Sequence, residues 1–205
     1  MTTRLLLVRH GETDSNVEGR SQGRREVPLN ANGRRQVLAV ASALSGRGLV
    51  AVTASPRERA RETAEAIARA AGVELTTDER LTELDQGDLD GLTPPEMRER
   101  DPEFLRRWAQ EDPTDLQMPG GESLGQSQVR VVAAATAAAV AHEGETAVLV
   151  SHNLALKSFL CHAFGVPLAS FRNFRVDVAS VTTVDVHDDG AFSIVQLNDR
   201  CHIGS

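Results

Sequence analysis

Three short and almost wholly apolar runs constrain this chain more than any other feature: Leu5–Val8, Leu49–Ala54 and Thr146–Val150. A strand exposed on one face alternates apolar and polar residues; a strand covered on both faces is apolar throughout. Buried strands of this kind belong in a largely parallel sheet, and helical patterns follow each run, as parallel connections require. Asn30–Leu44 carries apolar residues at helical spacing, with Asn30 placed to cap. Ser55-Pro56-Arg57-Glu58 reads as a helix start, with Ser55 capping, Pro56 in the first helical position and Glu58 closing a capping box. Ala60, Ala64, Ile67 and Ala71 then trace an apolar stripe. Ser123 with Gln126 predicts a second capped start, for a helix running to about His142, and Asn153–Phe164 predicts one more. Val178–Val186 and Phe192–Leu197 read as strands joined by a hairpin turn at Asp188-Asp189-Gly190. Alternating strands and helices that end in a hairpin specify an α/β sandwich with a mostly parallel central sheet.

The 205 residues fit one domain, 1–205. The segment from about Gln86 to Gly121 differs from the rest, with Pro94, Pro95, Pro102, Pro113, Pro119 and the sole tryptophan. It reads as short helices and loops that form a lid or specificity lobe.

A net charge of −7 argues against a nucleic-acid partner. An acidic chain that binds a phosphate ester must gather positive charge in one pocket. No stretch approaches the roughly 20 apolar residues of a membrane helix. The apolar run near Met1 is too short for a signal peptide, so no membrane association and a cytoplasmic location are expected. Cys161 and Cys201 form no CxxC pair, and the six histidines show no compact ligand spacing. Lys157 is the only lysine, and no glycine-rich phosphate loop precedes it.

Arg9-His10-Gly11-Glu12, Ser55–Arg59 and Ser151-His152-Asn153 each follow a predicted strand and open a predicted helix. Ligands of open parallel sheets bind outside the carboxyl ends of the strands, so these segments converge if their strands are neighbours. The shared edge would present His10, His152, Arg9 and Arg59, together with helix N-termini that attract anions. A histidine among cations is held neutral, and a neutral imidazole can attack phosphorus. Arg9, Arg59 and His152 could stabilise charge on the equatorial oxygens. The leaving alcohol needs a proton from a carboxylic acid, which could later activate water. Spacing alone does not single out that acid among 29 acidic residues.

Arg9-His10-Gly11-Glu12-Thr13 resembles the signature of the histidine phosphatase superfamily, the phosphoglycerate mutase-like family. Asn16, the segment Gly19-Arg20-Ser21-Gln22-Gly23, Pro28-Leu29 and Gly33 continue the likeness. So do Ser55–Ala60 with Thr63-Ala64, Leu81-Thr82-Glu83 with Gly87, Asp90 and Gly91, Gly120–Ser123, and Ser151-His152. The resemblance implies a three-layer α/β/α sandwich and metal-free chemistry without a cofactor. It makes His10 the nucleophile that becomes phosphohistidine, and Arg9, Arg59 and His152 the phosphate ligands. Glu83 becomes the proton donor, and Asn16, Gln22, Gly23 and Asn153 belong to the pocket. Asn153, Lys157 and Glu26 depart from the commoner family pattern, which bears on the substrate rather than the chemistry.

The expected activity is hydrolysis of small phosphate monoesters, with a small phosphorylated metabolite as partner. The alternatives are a cofactor-dependent phosphoglycerate mutase and a non-catalytic module that binds a phospho-ligand. The chain is compact and resembles the phosphatase branch, and His10, His152 and Glu83 are all present. Arg106 or Arg107 is expected to meet a substrate carboxylate or second phosphate.

Overall fold

The computed structural model describes residues 2–203. Its strands are β1 (Thr3–Arg9), β2 (Leu49–Ala54), β3 (Leu75–Thr77), β4 (Thr146–Ser151), β5 (Val181–Val186) and β6 (Phe192–Asp199). They form one sheet in the order β3-β2-β4-β1-β5-β6. The pairs β2–β3, β2–β4 and β1–β4 are parallel, whereas β5 runs antiparallel to both β1 and β6. The helices are α1 (Asp14–Val17), α2 (Ala31–Leu44), α3 (Glu58–Ala71), α4 (Pro94–Arg100), α5 (Pro102–Gln110), α6 (Leu124–Ala141) and α7 (Asn153–Ala163).

The apolar runs are apolar because both of their faces are covered. Side chains alternate across a strand, so Leu5 and Leu7 of β1 pack with Val131 and Ala135 of α6 and Leu156 and Phe159 of α7. Leu6 and Val8 face the other way, against Val40 and Ala41 of α2 and Ala64 and Ile67 of α3. The result is three layers, α/β/α, with a mostly parallel sheet in the middle. The hairpin turn also forms where the sequence places it, with Gly190 at φ 82° and the His187 N–H donating to the Ala191 carbonyl at 2.9 Å.

Local readings differ from the structure at several points. Strand β3 carries no sequence signal, being three residues long and largely exposed. β5 starts at Val181 rather than Val178, because Ala179 adopts φ 54° and turns its N–H onto the carbonyls of Arg9 (3.1 Å) and His10 (3.0 Å). The helix after β2 starts at Glu58 with Arg57 at its N-cap, and no side chain caps it. Ser55 is therefore not a cap. Its hydroxyl is engaged by His152, a partner nearly a hundred positions away in sequence. Ser123 does cap α6, in a capping box with Gln126.

The proline-rich segment folds as α4 and α5 with flanking turns. Phe104, Leu116 and Met118 close a third apolar cluster with Leu84, Leu124, Cys161 and Phe171. Trp108 stacks on Phe104 and tilts against Phe171, while the Arg172 guanidinium lies 4.5 Å over Phe171 and donates to the Trp108 carbonyl.

The first turn of α2 packs directly on the loop that follows β1. A Cβ on Gly33 would stand 2.0 Å from the Glu12 carbonyl oxygen, which is backbone and cannot swing away. Gly33→Ala is therefore expected to displace the loop after His10 and cost about 1–3 kcal/mol, as overpacking does. A fall in the denaturant midpoint together with a fall in activity would bear this out.

Candidate active site

The sheet order places β2, β4 and β1 side by side, so the segments that follow them meet at one edge. The backbone ties them together there. The His10 N–H donates to the Ser151 carbonyl at 3.1 Å, and the Ser55 N–H to the Val150 carbonyl at 2.9 Å.

His10 is buried, 2% exposed. Its Nδ1 lies 2.7 Å from the Gly11 carbonyl, which can only accept, so the proton sits on Nδ1. Nε2 is left with a lone pair, and the Arg59 Nε–H donates to it at 3.3 Å. Burial holds the His10 pKa well below that of an ordinary histidine, and the charges of Arg59 and Arg9 push it the same way. His152 is fully buried, with its ring 5.1 Å from that of His10. Burial, and then the charge of Arg59, likewise hold its pKa well below the usual value.

Arg59 is the largest fully buried side chain. It donates to the carbonyls of Arg25 (2.9 Å) and Gly23 (2.8 Å), which fix the fork beneath His10. Burial pulls its pKa down to about 10, so it remains a cation near neutral pH. Arg9 donates through Nη1 to the Val176 carbonyl at 2.7 Å, and its buried Nε has no partner. The buried Nδ1 of His152 has none either.

Glu83 follows the turn Glu79–Leu81, which Arg130 pins by donating to the carbonyls of Arg80, Thr82 and Glu83. Its carboxyl accepts three N–H groups, from Leu84 (2.9 Å), Ala155 (3.0 Å) and Leu154 (3.2 Å). Two of these donors belong to the first turn of α7. Glu26 accepts the Glu58 N–H at 2.9 Å in the same way at the start of α3. The helix N-termini expected to receive an anion are thus partly filled by the protein's own carboxyl groups, and the positive charge of the site comes from side chains.

Arg9, His10, Asn16, Gln22, Arg59, Glu83 and Asn153 line a cavity of about 100 Å³. Gly23 acts from behind it, through its carbonyl on Arg59. The Thr13 N–H donates to Asn16 Oδ1 at 3.1 Å and its hydroxyl to Gln22 Oε1 at 3.0 Å, which leaves both amide NH₂ groups as donors. Arg20, Ser21, Gln86 and Leu154 also line the cavity and were not singled out from sequence. The charge of Arg20 is taken up by Glu18 and Glu96. Of the positions that depart from the family pattern, Asn153 lines the cavity, Glu26 pairs with Arg57 at 2.7 Å, and Lys157 is half-buried within reach of the charges of Arg9 and Glu83.

Arg106 and Arg107 do not meet the cavity. Both project from α5 into ion pairs on the same helix and its end, with Glu103 at 2.7 Å and Glu111 at 3.1 Å. The sequence shows their charge but not the helical phase that brings an acid three or four residues away onto the same face. Among the described residues, no three His, Cys, Asp or Glu side chains gather as metal ligands, and no helix is long and apolar enough to cross a membrane.

The buried imidazoles have consequences for acid sensitivity. The unfolded chain protonates its histidines as pH falls through about 6.5, while the folded chain holds His10 and His152 neutral. The stability they contribute is complete above 6.5 and is lost as pH falls below it, by roughly 1 kcal/mol per histidine at pH 5.5. Urea unfolding at pH 7.5 and 5.5 should show this loss. NMR should find both rings titrating well below the range of an ordinary histidine.

Buried His10 and Arg59, with Arg9, line a small cavity at the carboxyl edge of a parallel sheet, and His152 lies outside that lining with its ring 5.1 Å from that of His10. The chain belongs to the histidine phosphatase superfamily, whose branch 1 model matches residues 5–200. It is 40% identical over 202 residues to the bifunctional protein Rv2228c of Mycobacterium tuberculosis, covering 98% of this chain and 55% of that one. The chain thus spans little more than half the length of that relative. It is 34% identical to phosphoserine phosphatase 1 of Hydrogenobacter thermophilus, covering 98% of this chain and 94% of that protein. Among solved structures, Bacillus stearothermophilus YhfR superposes with a TM-score of 0.90 at 33% identity, covering 98% of this chain and 99% of that one.

Proposed function

We propose that this protein is a metal-independent phosphatase that hydrolyses small phosphate monoesters through a phosphohistidine on His10. One observation carries the reading. His10 lines its cavity together with Arg9, whose buried Nε has no protein partner, and the buried Nδ1 of His152, on a ring 5.1 Å from that of His10, has none either. Buried donors are costly to leave unpaired, and a phosphoryl group bound against His10 would satisfy both.

In the first half-reaction His10 Nε2 attacks phosphorus and the bond to the ester oxygen breaks. The departing oxygen takes a proton from the carboxylic acid of Glu83. In the second, water attacks phosphorus, the P–N bond breaks, and Glu83 takes the proton from water. Arg9, Arg59 and the His152 N–H stabilise charge on the equatorial oxygens throughout. The Asn16, Gln22 and Asn153 side chains beside this centre suit a small, polar leaving group. The segment 86–121 acts as a specificity lobe, with Gln86 as its contribution to the cavity. Membership of the superfamily and the likeness to a phosphatase-named relative support the reading.

The test is phosphate release from a panel of small monoesters with EDTA present throughout. Turnover is expected to survive chelation. Activity lost in EDTA and restored by a divalent ion would overturn the metal-free mechanism. Absence of release from every ester, with phosphoryl exchange only when a bisphosphate primer is added, would point to a mutase.

A further inference from the structure

Ser55 is the first residue after β2 and His152 the first after β4, and both are fully buried. The Ser55 hydroxyl lies 2.7 Å from His152 Nε2 and also accepts the Arg57 N–H at 3.3 Å. These are its only partners among the described residues, and they determine where the protons lie. If the hydroxyl donates to Nε2, both its proton and a lone pair are matched. If Nε2–H donated to the hydroxyl, the serine proton would have no acceptor in a place closed to water. A doubly protonated ring is disfavoured by burial among cations. The proton of His152 therefore resides on Nδ1, the nitrogen without a protein partner. His10 is the reverse: its Nδ1–H is spent on the Gly11 carbonyl and its Nε2 carries the lone pair.

We infer that Ser55 is a positioning residue, which locks His152 as the Nδ1–H tautomer so that two neutral histidines 5.1 Å apart serve opposite roles. Resting on the function proposed above, His10 offers a lone pair to phosphorus and His152 offers an N–H to a phosphoryl oxygen. The difference between them is made by one carbonyl and one hydroxyl. With the other tautomer, His152 would turn a lone pair toward the same oxygen and repel it. A serine that looks like a helix cap thus decides the polarity of a ring in the next strand's loop.

The test reads tautomers and turnover together, in the full chain. The ¹⁵N spectrum of histidine-labelled wild type is expected to show His152 with a protonated Nδ1 and an unprotonated Nε2. Ser55→Ala should move those resonances toward a tautomer mixture and lower kcat/KM by roughly 10–100-fold, the scale of losing a partner that orients a functional histidine. Ser55→Thr, which keeps the hydroxyl, should restore both. A wild-type His152 protonated on Nε2 would overturn the inference. So would an active Ser55→Ala with wild-type kcat/KM, or one with reduced activity and unmoved His152 resonances. If Ser55→Ala does not fold, the wild-type spectrum and the threonine variant decide. Failure of the wild type to turn over any ester would strike the proposed phosphatase, while the spectrum would still report the tautomer.

Discussion

His10→Ala is expected to abolish phosphate release, by a factor on the order of 10⁴ or more, while leaving the circular dichroism spectrum unchanged. The size follows from the role: without Nε2 no covalent intermediate forms, and only the preorganised charges remain to assist water. The fold should survive because the residue removed is neutral. The Gly11 carbonyl loses a donor and Arg59 Nε an acceptor, but the buried Arg59 guanidinium keeps the carbonyls of Gly23 and Arg25. Acid-labile phosphate, trapped on the wild type during turnover and missing from the variant, would place the intermediate on this residue. Phosphohistidine formed by the variant would refute the assignment.

Arg59→Ala should combine the second-largest loss of rate with a loss of stability. Its guanidinium is preorganised by two backbone carbonyls and aimed at the cavity, and removal of such a donor typically costs 10²–10³ in kcat. The carbonyls of Gly23 and Arg25 would lose their donor in a buried place, destabilising the fold by about 1–3 kcal/mol, against which the relief of a buried cation works. Arg59→Lys should rescue little, since a single ammonium cannot bridge both carbonyls and still present a planar fork. Parallel measurement of kcat and the denaturant midpoint separates the two effects. A normal kcat with a lowered midpoint would reduce Arg59 to a structural role.

The strands of the core were legible because their signal is local. Each apolar run is short, and burial of both faces leaves no reason for polar residues within it. His10 and His152 were legible for a related reason: a residue just past the carboxyl end of a buried strand can go nowhere but the sheet edge. Glu83 emerged only through the resemblance. It sits after a short 3₁₀ turn, and what brings it to the site is the first turn of α7, more than seventy positions later. The reading of Ser55 failed because its neighbourhood satisfies a local rule that a tertiary contact overrides. Arg106 and Arg107 misled because charge is visible in sequence whereas ion pairing depends on helical phase.

By itself, then, the sequence determined the layers, the parallel core of the sheet and the histidines and arginines that follow its strands. The pattern follows from where water can and cannot reach, whereas the order of the strands came only with the tertiary structure. The tertiary structure alone decided which nitrogen of each histidine carries a proton, which helix N-termini are occupied by Glu26 and Glu83, and which arginines keep free donors. Apart from the contact of His10 with its chain neighbour Gly11, those outcomes depend on hydrogen-bond partners brought together within 3.3 Å from distant parts of the chain, and local sequence carries no record of them.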